Sequence, residues 1–213
     1  MNEKVSLGLD HLIARYPVLA PNREQIQHSY TLLLETVRRG NKILICGNGG
    51  SASDADHIVG ELMKSFVKKR PISKSLKIAL ESVGAEKGIY LAENIQDAIP
   101  AINLTQHTAL SSAFANDVDP HLGYAQQVMG YGVPGDLLWG LSTSGNAENV
   151  LNACIMAKAK GLHTMAMTGN TGGKLKGFCD VCICVPETET YIIQELHLPI
   201  YHFLCIMLEE SLW

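Results

Sequence analysis

Two groups of residues in this sequence could move protons. His57 and Glu61 stand four apart in DADHIVGELMK, where Ile58, Val59, Leu62 and Met63 recur at helical intervals. Residues so spaced share one helix face, with Cβ atoms about 5–6 Å apart. Near the carboxyl terminus, QELHLPIYH carries Gln194, His197 and His202. Gln194 and His202 are two turns apart and project from similar faces, while His197 falls on another angle. A carboxylate and an imidazole supply the base and the acid that a proton transfer between neighbouring carbons requires. Taken alone, each group has a plainer reading. A core histidine is often satisfied by a nearby glutamate, and an apolar helix is often buried by packing alone.

Two further segments could hold an anion. Cys46 leads into Gly47, Asn48, Gly49, Gly50 and Ser51, a strand end followed by a glycine turn and a helix start. Glycines let a ligand approach the main chain, and the free N–H groups and dipole of the following helix favour negative charge. The spacing is neither GxGxxG nor a P-loop, so a nucleotide is not indicated. The second segment, Ser142-Thr143-Ser144-Gly145-Asn146, follows another apolar run and opens a helix over 147–160. Capping needs one hydroxyl; three in a row suit the oxygens of a phosphate group.

These residues need a scaffold, and the pattern supplies one. Helices are expected over 4–16 and about 22–39, the second closing on Arg38-Arg39-Gly40. Strands are expected at 42–46, 101–104, 136–141, 163–167 and 181–185, with helices over about 52–68 and 188–212. Short strands alternating with helices predict an α/β fold, a doubly wound parallel sheet with helices on both faces, and ligands beyond the carboxyl ends of its strands. The 213 residues are read as a single domain. Residues 71–100 read as two helical pieces joined near Gly84 or Gly88, and Pro199 is expected to kink the last helix.

Composition narrows the function. A net charge of −4 offers no field for nucleic acid or an anionic membrane surface. Mean hydropathy is +0.08 and no uninterrupted apolar stretch approaches a bilayer span, so a soluble, cytoplasmic protein is expected. Cys46, Cys154, Cys179, Cys182, Cys184 and Cys205 lie mostly in apolar runs and read as buried thiols.

Taken together the segments resemble the sugar isomerase (SIS) domain, and within it the bacterial phosphoheptose isomerases. The matching residues are GNGGSASDADH-x₃-E at 47–61, AND at 115–117, PGD at 134–136, STSGN at 142–146, TGNTGGKL at 168–175 and QELH-x₄-H at 194–202. The resemblance implies a five-stranded, flavodoxin-like three-layer sandwich that assembles as a homotetramer with active sites at subunit interfaces. It implies isomerisation of sedoheptulose 7-phosphate to a heptose 7-phosphate. Ser51, Ser142, Thr143 and Ser144 would hold phosphate, with Gly49, Gly50 and Asn146 in the same loops. Asn48, Asn116, Asp117 and Gln194 would contact the sugar, and Glu61 and His202 would handle protons. His57, Glu61, Gln194 and His202 match a zinc site of some members, and no nucleotide or organic cofactor is implied.

Departures lie at Ala147, Tyr191, Ile192 and Ser65, where the family commonly has serine, aspartate and arginines. They leave open an isomerase of another phosphosugar. A non-catalytic relative that binds the replication initiator is a further alternative, against which Glu61 and His202 are both present.

Overall fold

Five short runs of Ile, Leu, Val and Met pair into one parallel sheet in the order β2-β1-β3-β4-β5. The computed structural model describes residues 3–213. In chain order α1 is Glu3–Arg15, a 3-10 turn covers Pro17–Asn22, α2 is Arg23–Arg38, β1 Ile43–Gly47, α3 Gly50–Met63 and α4 Lys74–Asn94. Then come β2 Ala101–Asn103, α5 Thr108–Asp117, α6 Gly123–Tyr131, β3 Leu137–Leu141 and α7 Glu148–Ala159. The chain closes with β4 His163–Thr168, α8 Gly173–Lys176, β5 Val181–Cys184 and α9 Thr190–Leu212.

Successive strand residues point to opposite faces. Ile43, Ile45, Trp139, Met165 and Met167 therefore join a core with α1, α2, α3 and α9. Leu44, Cys46, Leu138 and Ala166 join a second core with α6 and α7. The result is the three-layer α/β architecture expected. In this order the chain leaves β1 toward β2 on one side and reaches β3 on the other, so a crevice opens beyond the ends of β1 and β3.

Three local expectations change. The helix expected to reach residue 68 ends at Met63, because Lys64 turns to an extended backbone (φ −140°, ψ 173°). The segment after it is pulled aside by Glu209 in α9. That carboxylate accepts from the N–H groups of Phe66, Val67 and Lys68 and from Arg70 Nε at 2.6 Å, with both side chains buried. Arg70 also donates to the carbonyls of Leu62 and Glu61. Burial alone would raise the Glu209 carboxyl, but these donors outweigh it and hold it below the usual carboxylate range.

Pro199, in turn, lies within a continuous α9 and is buried. Finally, Cys46, Cys154 and Cys205 are buried as expected, whereas Cys179, Cys182 and Cys184 are only partly so. The break expected near Gly84 or Gly88 occurs at Ala85, where α4 kinks (φ 46°). Helix α9 alone among the described residues has the length and composition to cross a bilayer, but 61% of its most apolar window is buried in the chain, as in a core helix.

Candidate active site

The β1–α3 and β3–α7 turns meet at the crevice. Asn48, Gly49, Gly50, Ser51, Ser142, Thr143, Ser144 and Gln194 line one cleft of about 310 Å³, with Leu141, Ala147 and Thr190. No charged side chain lines it. Gly49 adopts φ +57°, a region that disfavours side chains, and a Cβ on Gly50 would lie 2.6 Å from Nε2 of Gln194. At the start of α3 the N–H groups of Ser51, Ala52 and Ser53 turn back to the carbonyls of Asn48 and Gly49, leaving that of Gly50 without an acceptor among the described residues, and the helix dipole favours an anion there. Ser142 is pinned by its N–H to the carbonyl of Met167, and the N–H groups of Thr143 and Ser144 have no acceptor among the described residues. The loop is braced from behind: a Cβ on Gly145 (φ +66°) would lie 2.1 Å from the carbonyl oxygen of Gly172. These are the elements of an anion cradle built from dipoles and hydroxyls.

The residues expected to handle protons form a second cluster, deeper along α3 and α9. The helices run side by side from the same end of the sheet, so Gly50 meets Gln194 and, two turns on, His57 meets Tyr201 and His202. His57 Nε2 lies 3.2 Å from Glu61 Oε1 and 3.4 Å from His202 Nε2. Lys64 Nζ reaches the other Glu61 oxygen at 3.3 Å. Burial and the adjacent His57 lower the His202 imidazole, with Glu61 opposing them. His202 is therefore neutral at neutral pH, able both to give and to take a proton.

Other residues read from the sequence fall elsewhere. Asn146 braces its own loop, accepting from Lys174 N and donating to the Ser144 carbonyl, and faces a neighbouring pocket. Asn116 donates to Asp117 Oδ1 at the exposed end of α5, and neither lines the cleft. His197 is wholly buried against the carbonyl of Thr168, a structural position.

Several contributors carry no motif that a sequence reading would single out. Asn149 exchanges two hydrogen bonds of 2.9 Å with Asn48. Tyr124 Oη donates to the Gly47 carbonyl at 2.6 Å. Burial raises the Asp54 carboxyl, while Tyr201 and His57 pull it down. The one available signal was position: Asp54 lies a turn before His57, and Tyr201 adjoins His202.

Donor placement divides the residues that match a zinc set. The His57, Glu61 and His202 spacings approach the edges of a tetrahedron with bonds of roughly 2.0–2.2 Å. Gln194 instead lies over Gly50, and eight residues of helix separate it from His202 by about 12 Å. Among the described residues no group of three or more His, Cys, Asp or Glu is arranged to hold a metal ion. The four donors do not form one site within this chain.

A cleft at the switch point of a 2-1-3-4-5 sheet, lined by hydroxyls and flanked by a His–Glu–His cluster, defines a phosphosugar-binding α/β domain. A sequence profile described as the SIS domain matches residues 17–99 and 87–169, and the chain belongs to that family. It is 39% identical over 182 residues to a phosphoheptose isomerase of Synechocystis sp., covering 85% of this chain and 80% of that protein. Against one from Akkermansia muciniphila it is 32% identical, covering 100% of this chain and 99% of the relative. Its backbone matches phosphoheptose isomerase GmhA of Neisseria gonorrhoeae with a TM-score of 0.72 at 29% identity, covering 98% of each chain.

Proposed function

We propose that the chain is a phosphosugar aldose–ketose isomerase that interconverts sedoheptulose 7-phosphate and the corresponding aldose, a heptose 7-phosphate, in the cytoplasm. The observation that carries the reading is the cluster of His57, Glu61 and His202 on two parallel helices that also shape the anion cleft. Glu61 takes the proton from the carbon beside the carbonyl and returns it to the neighbouring carbon. His202 moves the proton between the two oxygens of the enediol. Ser51, Ser142, Thr143 and Ser144 hold the phosphate, and Gln194 and Asn48 face the sugar from the cleft. Zinc enters this proposal only as an ion held between copies, because the described residues of one chain offer no three-donor site; His57, Glu61 and His202 would contribute ligands, and the ion would polarise the carbonyl.

Length decides how the pieces combine. Glu61 lies eleven residues along α3 from Gly50, about 16 Å of helix. From phosphorus to carbonyl carbon, an extended seven-carbon sugar phosphate spans seven bonds, about 9 Å. One substrate therefore does not reach from the cradle to Glu61 of the same chain. The reading accordingly places the active site between copies in an oligomer, taken to be a homotetramer, with the cradle of one copy facing Glu61 and His202 of another.

A different phosphosugar is the second reading, because Ser65 stands where the family commonly has arginine. Lys64 supplies a cation to Glu61 from the preceding position. The test is the Glu61→Gln variant, assayed with C5 to C7 ketose and aldose phosphates. Turnover and deuterium exchange beside the carbonyl should be lost while phosphosugar binding survives. Undiminished exchange in that variant removes Glu61 from the mechanism, and the preferred sugar in the unmodified protein decides between the two readings.

A further inference from the structure

Two cysteines lie behind the anion cleft and take no part in the chemistry described so far. Cys182 and Cys184 are two apart on β5, so their side chains leave the same face of the sheet, and their sulfurs lie 3.6 Å apart. β5 is an edge strand, and both side chains are only partly buried. A parallel strand rises about 6.6 Å over two residues, inside the Cα span of roughly 4.4–6.8 Å that a disulfide accepts. At the long end of that span a bridge is strained and readily reduced, as a reversible bridge must be. The neighbouring pair, Cys154 and Cys179 at 3.8 Å, puts one member wholly in the core.

Cys184 is coupled to the cleft by what it packs against. A Cβ on Gly172 (φ +73°) would lie 2.8 Å from Cys184 Sγ, so the sulfur sits directly on that glycine. Gly172 caps the short helix α8, and its carbonyl oxygen is the atom that closes on Gly145. Helix α8 backs the same loop along its length. Leu175 N donates to the Gly145 carbonyl at 3.2 Å, and Lys174 N donates to Asn146 Oδ1 at 3.1 Å. Joining the two sulfurs would draw Cys184 Sγ toward Cys182 and off Gly172, removing support from behind the 142–146 loop. The Cys182 thiol as donor, with the Lys176 charge nearby, holds the Cys184 thiol below the usual thiol range against the effect of burial. The same contact raises Cys182. Cys184 is therefore the attacking thiolate and Cys182 the thiol that resolves it.

We propose that Cys182 and Cys184 are a thiol modification site, oxidised to a disulfide by a hydroperoxide, and that the bridge loosens the 142–146 loop through Gly172 and α8. The Cys184 thiolate attacks the terminal peroxide oxygen and the O–O bond breaks. Cys184 becomes a sulfenic acid, and the released oxyanion takes up the proton that Cys184 had lost. The Cys182 sulfur then attacks the Cys184 sulfur. The S–S bond forms, the S–O bond breaks, and hydroxide leaves as water with the Cys182 proton. Two thiols give up two electrons and the peroxide gains them. The bridge and the loosened loop do not depend on the isomerase reading; their effect on phosphosugar binding rests on it.

The test treats the reduced full-length protein with hydrogen peroxide, blocks the remaining thiols and digests with trypsin, which releases residues 177–213 as one peptide. Mass spectrometry of that peptide should find a disulfide between Cys182 and Cys184 that dithiothreitol reopens. Amide hydrogen exchange over 142–146 should quicken in the oxidised protein. Affinity for sedoheptulose 7-phosphate, read by calorimetry, should fall about fivefold or more, as for coupling between distinct sites. In Cys182→Ser the reaction should stop at a sulfenic acid on Cys184, trapped by dimedone. In Cys184→Ser, exchange and affinity should be the same before and after peroxide. Free thiols at 182 and 184 after treatment, or a bridge only between Cys154 and Cys179, would overturn the site. A bridge that leaves exchange over 142–146 unchanged would overturn its action on the loop. If bridge and exchange respond as expected but the reduced protein binds no phosphosugar, the proposal stands and the isomerase reading fails. Should either variant fold poorly, the mass and exchange measurements on the unmodified protein decide alone.

Discussion

Glycine 50 is a residue whose smallness has a specific use. The side-chain amide of Gln194 occupies the space a Cβ would take, 2.6 Å away. Because that amide ends a flexible side chain, Gly50→Ala should fold normally but swing Gln194 out of the cleft. We expect KM for the phosphosugar to rise about tenfold, equivalent to about 1.4 kcal/mol of binding, while the thermal midpoint changes little; an unchanged KM would show that Gln194 is not needed where it lies. Gly145 is the contrasting case. Its φ of +66° and the 2.1 Å approach to Gly172 leave no compliant atom to yield. Gly145→Ala should cost about 1–3 kcal/mol of stability, read as a lower denaturant midpoint, and loosen the phosphate loop with it.

At the level of elements, α9 does more than pack. Its His197 is held neutral by burial, which lowers the imidazole to about 4 despite the hydrogen bond to Thr168. In the unfolded chain the ring titrates at the ordinary value near 6.5. The folded state is favoured fully above that value and loses ground as pH falls from about 6.5 toward 4, because the unfolded chain binds the proton first. The full effect is on the order of 3 kcal/mol. Denaturation followed across that window should show it, and His197→Phe should flatten the dependence.

The same helix shows what a sequence reading reaches. The strands and their parallel, doubly wound arrangement follow from short apolar runs alternating with helices, and the cradle from hydroxyls and glycines at strand ends. Spacing put Gln194 and His202 on one face, two turns apart. It did not show that the cleft lies at the Gln194 end, so that this rise keeps it from the histidines. The early end of α3 was hidden because Glu209, which pulls residues 66–68 away, lies more than 140 positions downstream. Tyr201 and Asp54 were illegible because a buried tyrosine and a helical aspartate look like ordinary core and surface until their oxygens are seen to meet.

For the molecule as a whole, the separation of cradle and proton pair within a chain makes an assembly-level prediction. On the proposed reading, Glu61→Gln and Ser142→Ala should each be inactive by damaging a different half of a shared site. Co-expressed, they should form mixed assemblies that regain part of the activity, because some sites receive both intact halves. Activity no greater than the sum of the separate variants would place all of the machinery within one copy. Exposed apolar residues on α4, among them Ile78, Val83 and Tyr90, are surface that such an assembly could cover.

The far end of the chain has a part in this too. Glu209, Arg70 stacked under Trp213 at 4.9 Å, and the Trp213 indole bound to Asp97 together tether the stretch that follows Glu61. On the proposed mechanism these contacts are thus a mooring line for Glu61. Trimming residues 209–213 should leave the sheet standing yet silence the reaction, so any affinity handle fused at this terminus pulls on the chemistry itself.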